Sequence, residues 1–278
     1  MSGPSSADKL GIIAGGGTLP GLLAAACRAD GRPYYLLGLT GFADARILGQ
    51  TPDAWIRLGE AGQGFDRLRA ADVSTVVMAG SVRRPTLAEL RPDLRTAAFF
   101  ARIAGRVLGD DSLMKAVIAE LEREGFTVIG PEDILASLVA RLGSLGRHKP
   151  DSEAEADIAL GMKVAHELGR LDVGQAVVVQ QGLVLGLEGI EGTAALISRC
   201  GELKRAGPGG VLVKMKKPQQ DRRADLPVIG VETVTQAANA GLRGIAMEAG
   251  GSLILGAETV AAAADDLGLF VTGVAVHE

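Results

Sequence analysis

The densest group of chemistry-bearing residues runs from Val211 to Pro227, reading VLVKMKKPQQDRRADLP. Five cations, Lys214, Lys216, Lys217, Arg222 and Arg223, stand there beside Asp221 and Asp225. Strand alternation places Lys214 and Lys216 on one face, with Val213 and Met215 on the other. Apolar runs on both sides, the strand before and Leu226-Pro227-Val228-Ile229 after, predict a cluster pinned to the fold rather than a solvated charge run. Pinned cations offset charge on phosphate oxygens, while a carboxylate holds a metal or orients water. The catalytic candidates are therefore Asp225, Lys214, Lys216 and Asp221, with phosphoryl transfer as the chemistry.

Other residues offer phosphate binding. An apolar strand runs into Gly15-Gly16-Gly17-Thr18-Leu19-Pro20 and then an Ala/Leu-rich segment. A glycine turn between strand and helix aims bare N–H groups at an anion. The dinucleotide pattern GxGxxG is half met: Pro20 replaces the third glycine, and no acid ends the second strand to hold a ribose. A second strand-to-helix junction holds Gly80, Ser81 and Arg83, followed by Arg84. Gly192 and Thr193 open a further helix, and Glu248 stands among glycines, as do Glu188 and Glu191. Asp110 and Asp111 begin another helix, where carboxylates suit the dipole and serve equally as caps or as Mg²⁺ ligands. Asp225, Glu191 and Asp110 are the candidate metal ligands, and spacing alone does not decide between metal binding and capping.

The elements that must position these residues alternate between β-rich and helical segments, which predicts parallel sheets covered by helices. In the first half strands are expected at 10–14, 34–39, 73–79 and 126–129, and helices at 19–29, 65–71, 96–108, 112–124 and 132–138. The Gly- and Pro-containing stretch 143–150 is the expected linker. The predicted organisation is therefore a Rossmann-like open α/β sheet at 1–145 and a second α/β domain at 146–278. Ser152, followed three residues on by Glu155, is the expected cap of the helix that opens the second half. Strands are then expected at 175–180, 183–187, 211–215, 228–230, 244–247, 252–255 and 269–276, with helices at 193–204, 231–240 and 258–267.

Composition narrows the function classes. With 278 residues, 47% apolar and 22% charged, the chain is an ordinary globular one. Its net charge of -4 leaves no general excess of cations for a nucleic-acid duplex. Cys27 and Cys200 are isolated, so neither a zinc ribbon nor a disulfide framework is expected. No signal peptide and no membrane-spanning run is read, so a cytoplasmic location is expected, compatible with peripheral contact at a membrane and with a homo-oligomer. His148, His166 and His277 stand far apart, which rules out a histidine-rich dinuclear centre. Neither GxSxG nor GxxxxGK[ST] occurs, which removes the serine hydrolase and P-loop readings.

Taken together, AGGGTLP, GDDSLM, VVVQQGLVLGLEGIEGT, VKMKKPQQDRRADLPVIG and AMEAGGSLIL resemble the UDP-2,3-diacylglucosamine pyrophosphatases of the LpxI type, across nearly the whole chain. The resemblance implies a two-domain enzyme of lipid A biosynthesis with the ligand site in the cleft between the domains. It would hydrolyse the diphosphate of UDP-2,3-diacylglucosamine to UMP and 2,3-diacylglucosamine 1-phosphate, with Mg²⁺ and with water attacking the β-phosphorus. It also implies a lipid-linked nucleotide sugar as partner, no nucleic acid, and contact with the cytoplasmic face of the inner membrane. Two other classes remain open on the residues alone: a nicotinamide-dependent oxidoreductase and a non-catalytic nucleotide-sugar sensor.

Overall fold

The computed structural model describes residues 8–83, 90–103, 110–223 and 226–276. The chain divides into two compact units, Met1–Ala136 and Ser137–Glu278. Both are α/β.

The first unit is built on a parallel five-stranded sheet of β1 (Leu10–Ala14), β2 (Tyr34–Leu39), β3 (Ala54–Ile56), β4 (Thr75–Ala79) and β5 (Thr127–Ile129), in the order β3-β2-β1-β4-β5. Leu10, Ile12, Leu36, Val76 and Val77 are fully buried, as a sheet covered on both faces requires. Its helices are α1 (Leu19–Ala29), the single turn α2 (Ala45–Leu48), α3 (Ala61–Ala70), α4 (Leu94–Ile103) and α5 (Asp110–Arg123). The strand order reverses between β1 and β4, and such a switch point opens a crevice at the carboxyl ends of the strands. α2 and β3 carry no strong periodicity and are not foreseen in the sequence. The helix expected at 132–138 is instead two 3₁₀ turns, Pro131–Asp133 and Ala136–Leu138.

The second unit holds a mixed six-stranded sheet of β6 (Gly143–Ser144), β7 (Ala176–Gln180), β8 (Leu183–Leu187), β9 (Val211–Lys214), β11 (Gly244–Glu248) and β13 (Phe270–Val274), in the order β6-β13-β11-β9-β7-β8. β10 (Val228–Ile229) and β12 (Leu253–Ile254) pair separately in parallel. Helix α6 (Ser152–Arg170) covers one face; α7 (Gly192–Glu202), α8 (Val231–Asn239) and α9 (Ala257–Leu267) cover the other. Alternation sorts β9 between them: Val211 and Val213 pack with Ile158 and Ala165 of α6, and Leu212 packs with Leu196 and Val234 on the opposite side.

Two local expectations change. Gly143 and Ser144 do not form a linker; they add an antiparallel edge to β13, and Val139 already bridges to Leu253. Turn-forming residues can end a sheet as readily as they can join domains, because an edge strand needs few apolar side chains. The cap of α6 is Asp151, whose Oδ1 accepts from Ala154 N at 2.9 Å, so Ser152 is the first helical residue. An ionised carboxylate at the positive helix end outcompetes the neighbouring hydroxyl.

The β7–β8 hairpin turns through Gln181 and Gly182, both at positive φ (54° and 72°), the geometry that matches strand twist in a two-residue turn. Buried Asp157 of α6 clasps this turn, accepting from Gln181 N at 2.9 Å and from Gly182 N at 2.7 Å. The clasp fixes the turn, and a one-residue register shift between Val178 and Val179 then sets the pairing of Leu187 with Val177 at the far end of β8.

In the first unit, buried Glu120 of α5 accepts from Arg102 of α4 at 2.6 Å and from Arg123 at 2.5 Å. The Arg123 hydrogen bond, assisted by Arg102, holds its carboxyl below the ordinary glutamate range despite burial. A depressed folded pKa contributes stability that is complete above the unfolded value of about 4.3 and is lost as pH falls through the folded value. Glu120→Gln is therefore expected to lower stability by about 1–2 kcal/mol at pH 7. In chemical denaturation the gap between the two proteins should close as pH drops below about 4.

Candidate functional site

Each unit carries one group of the candidate residues, at the carboxyl ends of its strands. In the first unit, β1 ends at Ala14 and β4 at Ala79, and the two following loops lock together. Gly15 N donates to Ala79 O at 2.8 Å, while Gly16 and Ser81 exchange both backbone bonds at 2.8 and 2.9 Å. Gly80 sits at φ 92°, and a Cβ there would lie 2.4 Å from Gly16 O. No other residue fits that approach. The N–H groups of Gly15 and Gly16, expected to face an anion, are instead spent on the neighbouring loop. Among the described residues, the Gly17, Thr18 and Leu19 N–H groups have no backbone acceptor, so they form the anion-facing end of α1. Thr18 is the N-cap residue by position, but its side chain makes no capping bond. Ser81 and Arg83 are exposed beside this turn, and Arg83 has a partner of its own.

In the second unit, β9 and β11 run parallel while β7 opposes β9 and β8 opposes β7. The carboxyl ends of β8, β9 and β11 and the start of β7 therefore meet at one end of the sheet. They deliver Glu188, Lys214, Glu248 and Gln175 to that end. Lys214, only 8% exposed, shares the Leu212 face of β9 and reaches the start of α7. Its Nζ donates to Thr193 Oγ1 at 2.9 Å and to Val228 O at 3.2 Å. Thr193 Oγ1 in turn donates to Glu188 Oε1 at 2.5 Å, and Gln175 N donates to Glu188 Oε2 at 3.1 Å. Glu188 is 6% exposed. A buried acid and a buried ammonium are thus joined through one hydroxyl.

Lys216 follows the end of β9 rather than lying within it. Its backbone N–H donates to Glu248 Oε2 at 3.0 Å, tying the β9 and β11 ends together, and its side chain is half-buried. Among the described residues the Lys216 ammonium has no hydrogen-bond or ion-pair partner, and Glu248 Oε1 has no donor. The loop beyond is pinned, as expected from its flanks. Lys217 Nζ pairs with Asp172 at 2.5 Å, Gln219 Nε2 donates to Gly169 O at 2.7 Å, and Arg222 donates to Gly250 O at 2.8 Å.

The acids divide by their partners. Asp221 is held by Arg223, through Nε at 3.0 Å and the terminal nitrogen at 2.7 Å, so it orders the loop. Glu191 is exposed: Oε1 accepts from Arg199 at 2.9 Å and Oε2 from Gly189 N at 3.1 Å. With both oxygens already engaged, Glu191 serves to shape the turn into α7, and this argues against its expected role as a metal ligand. Asp225 lies outside the described residues, and of Asp110 only the backbone is described, as the first residue of α5. Among the described residues no group of three or more His, Cys, Asp or Glu could hold a metal ion. Cys27 and Cys200 are buried, and burial raises both thiols, which removes them as nucleophiles.

Glu188 and Gln175 are the site members that sequence reading undervalues. Glu188 reads as one of three acids beside glycines, equally a ligand-facing group or a surface charge, and Gln175 as the first residue of a strand. The one local signal is Glu188 at the end of an alternating apolar strand, followed five residues later by the hydroxyl of Thr193.

The chain matches two family models: that of the LpxI N-terminal domain over residues 9–138 and that of the LpxI C-terminal domain over residues 141–272. It is also 45% identical over 277 residues to the UDP-2,3-diacylglucosamine pyrophosphatase LpxI of Caulobacter vibrioides, covering 97% of this chain and 99% of that protein.

The loop lock predicts a stability effect that needs no ligand. Gly80→Ala places a Cβ against Gly16 O at positive φ, which costs about 1–3 kcal/mol for the backbone conformation alone. It should lower the melting transition of the protein, whereas Gly17→Ala, at positive φ but with open space around it, should cost less.

Proposed function

Because the chain belongs to the LpxI family, we propose that it hydrolyses the pyrophosphate of UDP-2,3-diacylglucosamine, yielding UMP and 2,3-diacylglucosamine 1-phosphate for lipid A synthesis. The observation that carries this reading is the buried Lys214 ammonium at the carboxyl end of β9, beside the Lys216 ammonium that no described group neutralises. In the reaction a water oxygen bonds to phosphorus, the anhydride P–O bond breaks, and the leaving phosphate takes the electron pair. Negative charge spreads over the phosphoryl oxygens as this happens, and fixed cations in a site with little water stabilise it most. Lys214 and Lys216 meet that need. Asp225 is assigned to orienting the attacking water. The Gly17 to Leu19 N–H groups, with Ser81 and Arg83, are the phosphate-binding candidates of the first unit.

Mg²⁺ belongs to this proposal as a partner of the substrate. The described acids do not form a protein-only metal cage. Mg²⁺ commonly keeps several waters and binds through one or two carboxylates plus substrate phosphates, and Glu248, whose Oε1 has no donor among the described residues, would be a carboxylate of that kind. When bound the ion would neutralise phosphate charge. Among the described residues no helix is long and apolar enough to cross a membrane. Peripheral contact at the cytoplasmic face of the inner membrane is proposed from the acyl chains of the substrate, not from a feature of the chain.

Purified protein incubated with UDP-2,3-diacylglucosamine and Mg²⁺ should release UMP, and chelation should suppress the release. In H₂¹⁸O the label should enter 2,3-diacylglucosamine 1-phosphate. Label in UMP would move the attack to the other phosphorus, and intact substrate despite tight binding would make the protein a sensor. Lys214→Met is expected to lower kcat by about 100-fold or more, the usual cost of removing one charge-stabilising donor. Asp225→Ala should do at least the same; a wild-type rate in a folded Asp225→Ala variant would remove that residue from the reaction.

A further inference from the structure

We propose that Glu188 is a positioning residue for the hydrolysis, setting the place and direction of the Lys214 ammonium through the hydroxyl of Thr193. The inference rests on the role given above to Lys214 and extends it to two residues that need not touch the reacting atoms.

Proton direction carries the argument. A threonine hydroxyl has one proton and two lone pairs. An ionised glutamate accepts only, so the 2.5 Å contact fixes the Thr193 proton on the Glu188 side. The Thr193 lone pairs are thereby turned toward Lys214, which donates from 2.9 Å. Gln175 N holds the other Glu188 oxygen, so the carboxylate cannot rotate without losing a bond. Val228 O adds a second fixed acceptor for the ammonium. Donation therefore runs in one sense from Lys214 through Thr193 to Glu188, and Gln175 N anchors the carboxylate by donating to its other oxygen.

Burial makes that sense consequential. Lys214 and Glu188 are 8% and 6% exposed, so neither charge is well served by water. A buried ammonium is tolerated only when paired and hydrogen-bonded. With the threonine interposed, Glu188 reaches the cation through a hydroxyl whose single proton is already committed. Burial of this kind locates the charge to within the tolerance that charge stabilisation demands, since a displacement of about 1 Å at a reacting group can cost about 100-fold in rate.

Glu188→Gln breaks the sense while keeping the shape. Gln175 N still requires an oxygen, so the new amide must turn its NH₂ toward Thr193. Thr193 would then accept from both sides, and its own proton would have no partner. Thr193→Val removes the hydroxyl at nearly constant volume, and Thr193→Ser keeps it.

The test is steady-state kinetics on UMP release with UDP-2,3-diacylglucosamine and Mg²⁺, for Glu188→Gln, Thr193→Val, Thr193→Ser, Lys214→Met and the double variant Glu188→Gln/Lys214→Met. Melting curves check that each is folded. Glu188→Gln and Thr193→Val should each lower kcat by about tenfold or more with KM within about twofold, while Thr193→Ser stays near the wild-type rate. In the Lys214→Met background Glu188→Gln should cost almost nothing further, because residues acting as one unit are non-additive. A full additional loss in the double variant, or kcat within about twofold of wild type for both Glu188→Gln and Thr193→Val, overturns the inference. Should Glu188→Gln not fold, Thr193→Val against Thr193→Ser decides the question alone. Lys214→Met with a wild-type rate would instead overturn the reading on which the inference rests.

Discussion

The ammonium of Lys214 is the group on which the second unit's site depends. An ammonium removed from water is costly unless it meets both a charge and hydrogen-bond acceptors, and the site supplies these from three separate segments. Val228 gives a carbonyl, Thr193 a hydroxyl and Glu188 the compensating charge behind that hydroxyl. None of the three is near Lys214 in sequence. The sheet must close correctly before the lysine can be buried at all, which ties the formation of the site to the formation of the fold.

The sheet order explains how distant residues converge. Because β8, β9 and β11 point the same way while β7 runs against them, their carboxyl ends and the start of β7 form one rim. Asp157 holds the β7–β8 turn at the opposite end of β8, and a register shift between Val178 and Val179 adjusts the pairing before the strand reaches Glu188. In the first unit the same geometry works through backbone alone. The Gly16 and Ser81 loops bond to each other across the switch point, and Gly80 is the residue that lets them approach. One unit thus offers N–H groups at a helix start, the other offers buried and half-buried cations. Both are suited to phosphate oxygens, by different means.

Much of this was legible from one-dimensional pattern. The strands at 10–14, 34–39 and 183–187 and the helix at 19–29 have the bounds expected from their apolar runs and the glycine-containing turns beside them. The pinned character of the 214–223 loop followed from its apolar flanks. What misled were short elements and shared residue types. Gly143 and Ser144 suit a linker and an edge strand alike, Ser152 and Asp151 compete for one cap, and Glu191 and Glu188 are both acids in glycine-rich turns. Their partners separate them: Arg199 claims Glu191 on the surface, while Glu188 turns inward to Thr193.

By itself the sequence determined the α/β class, the two-part organisation, the family and the concentration of cations at the end of β9. All of these rest on periodicity, composition or contiguous motifs, which survive in one dimension. Only the tertiary structure decided which acid supports Lys214, which glycine amides are already spent, and which carboxylates order loops instead of standing open. Each of those answers turns on which donor lies within about 3 Å of which acceptor, and hydrogen bonds of that range join residues dozens of positions apart.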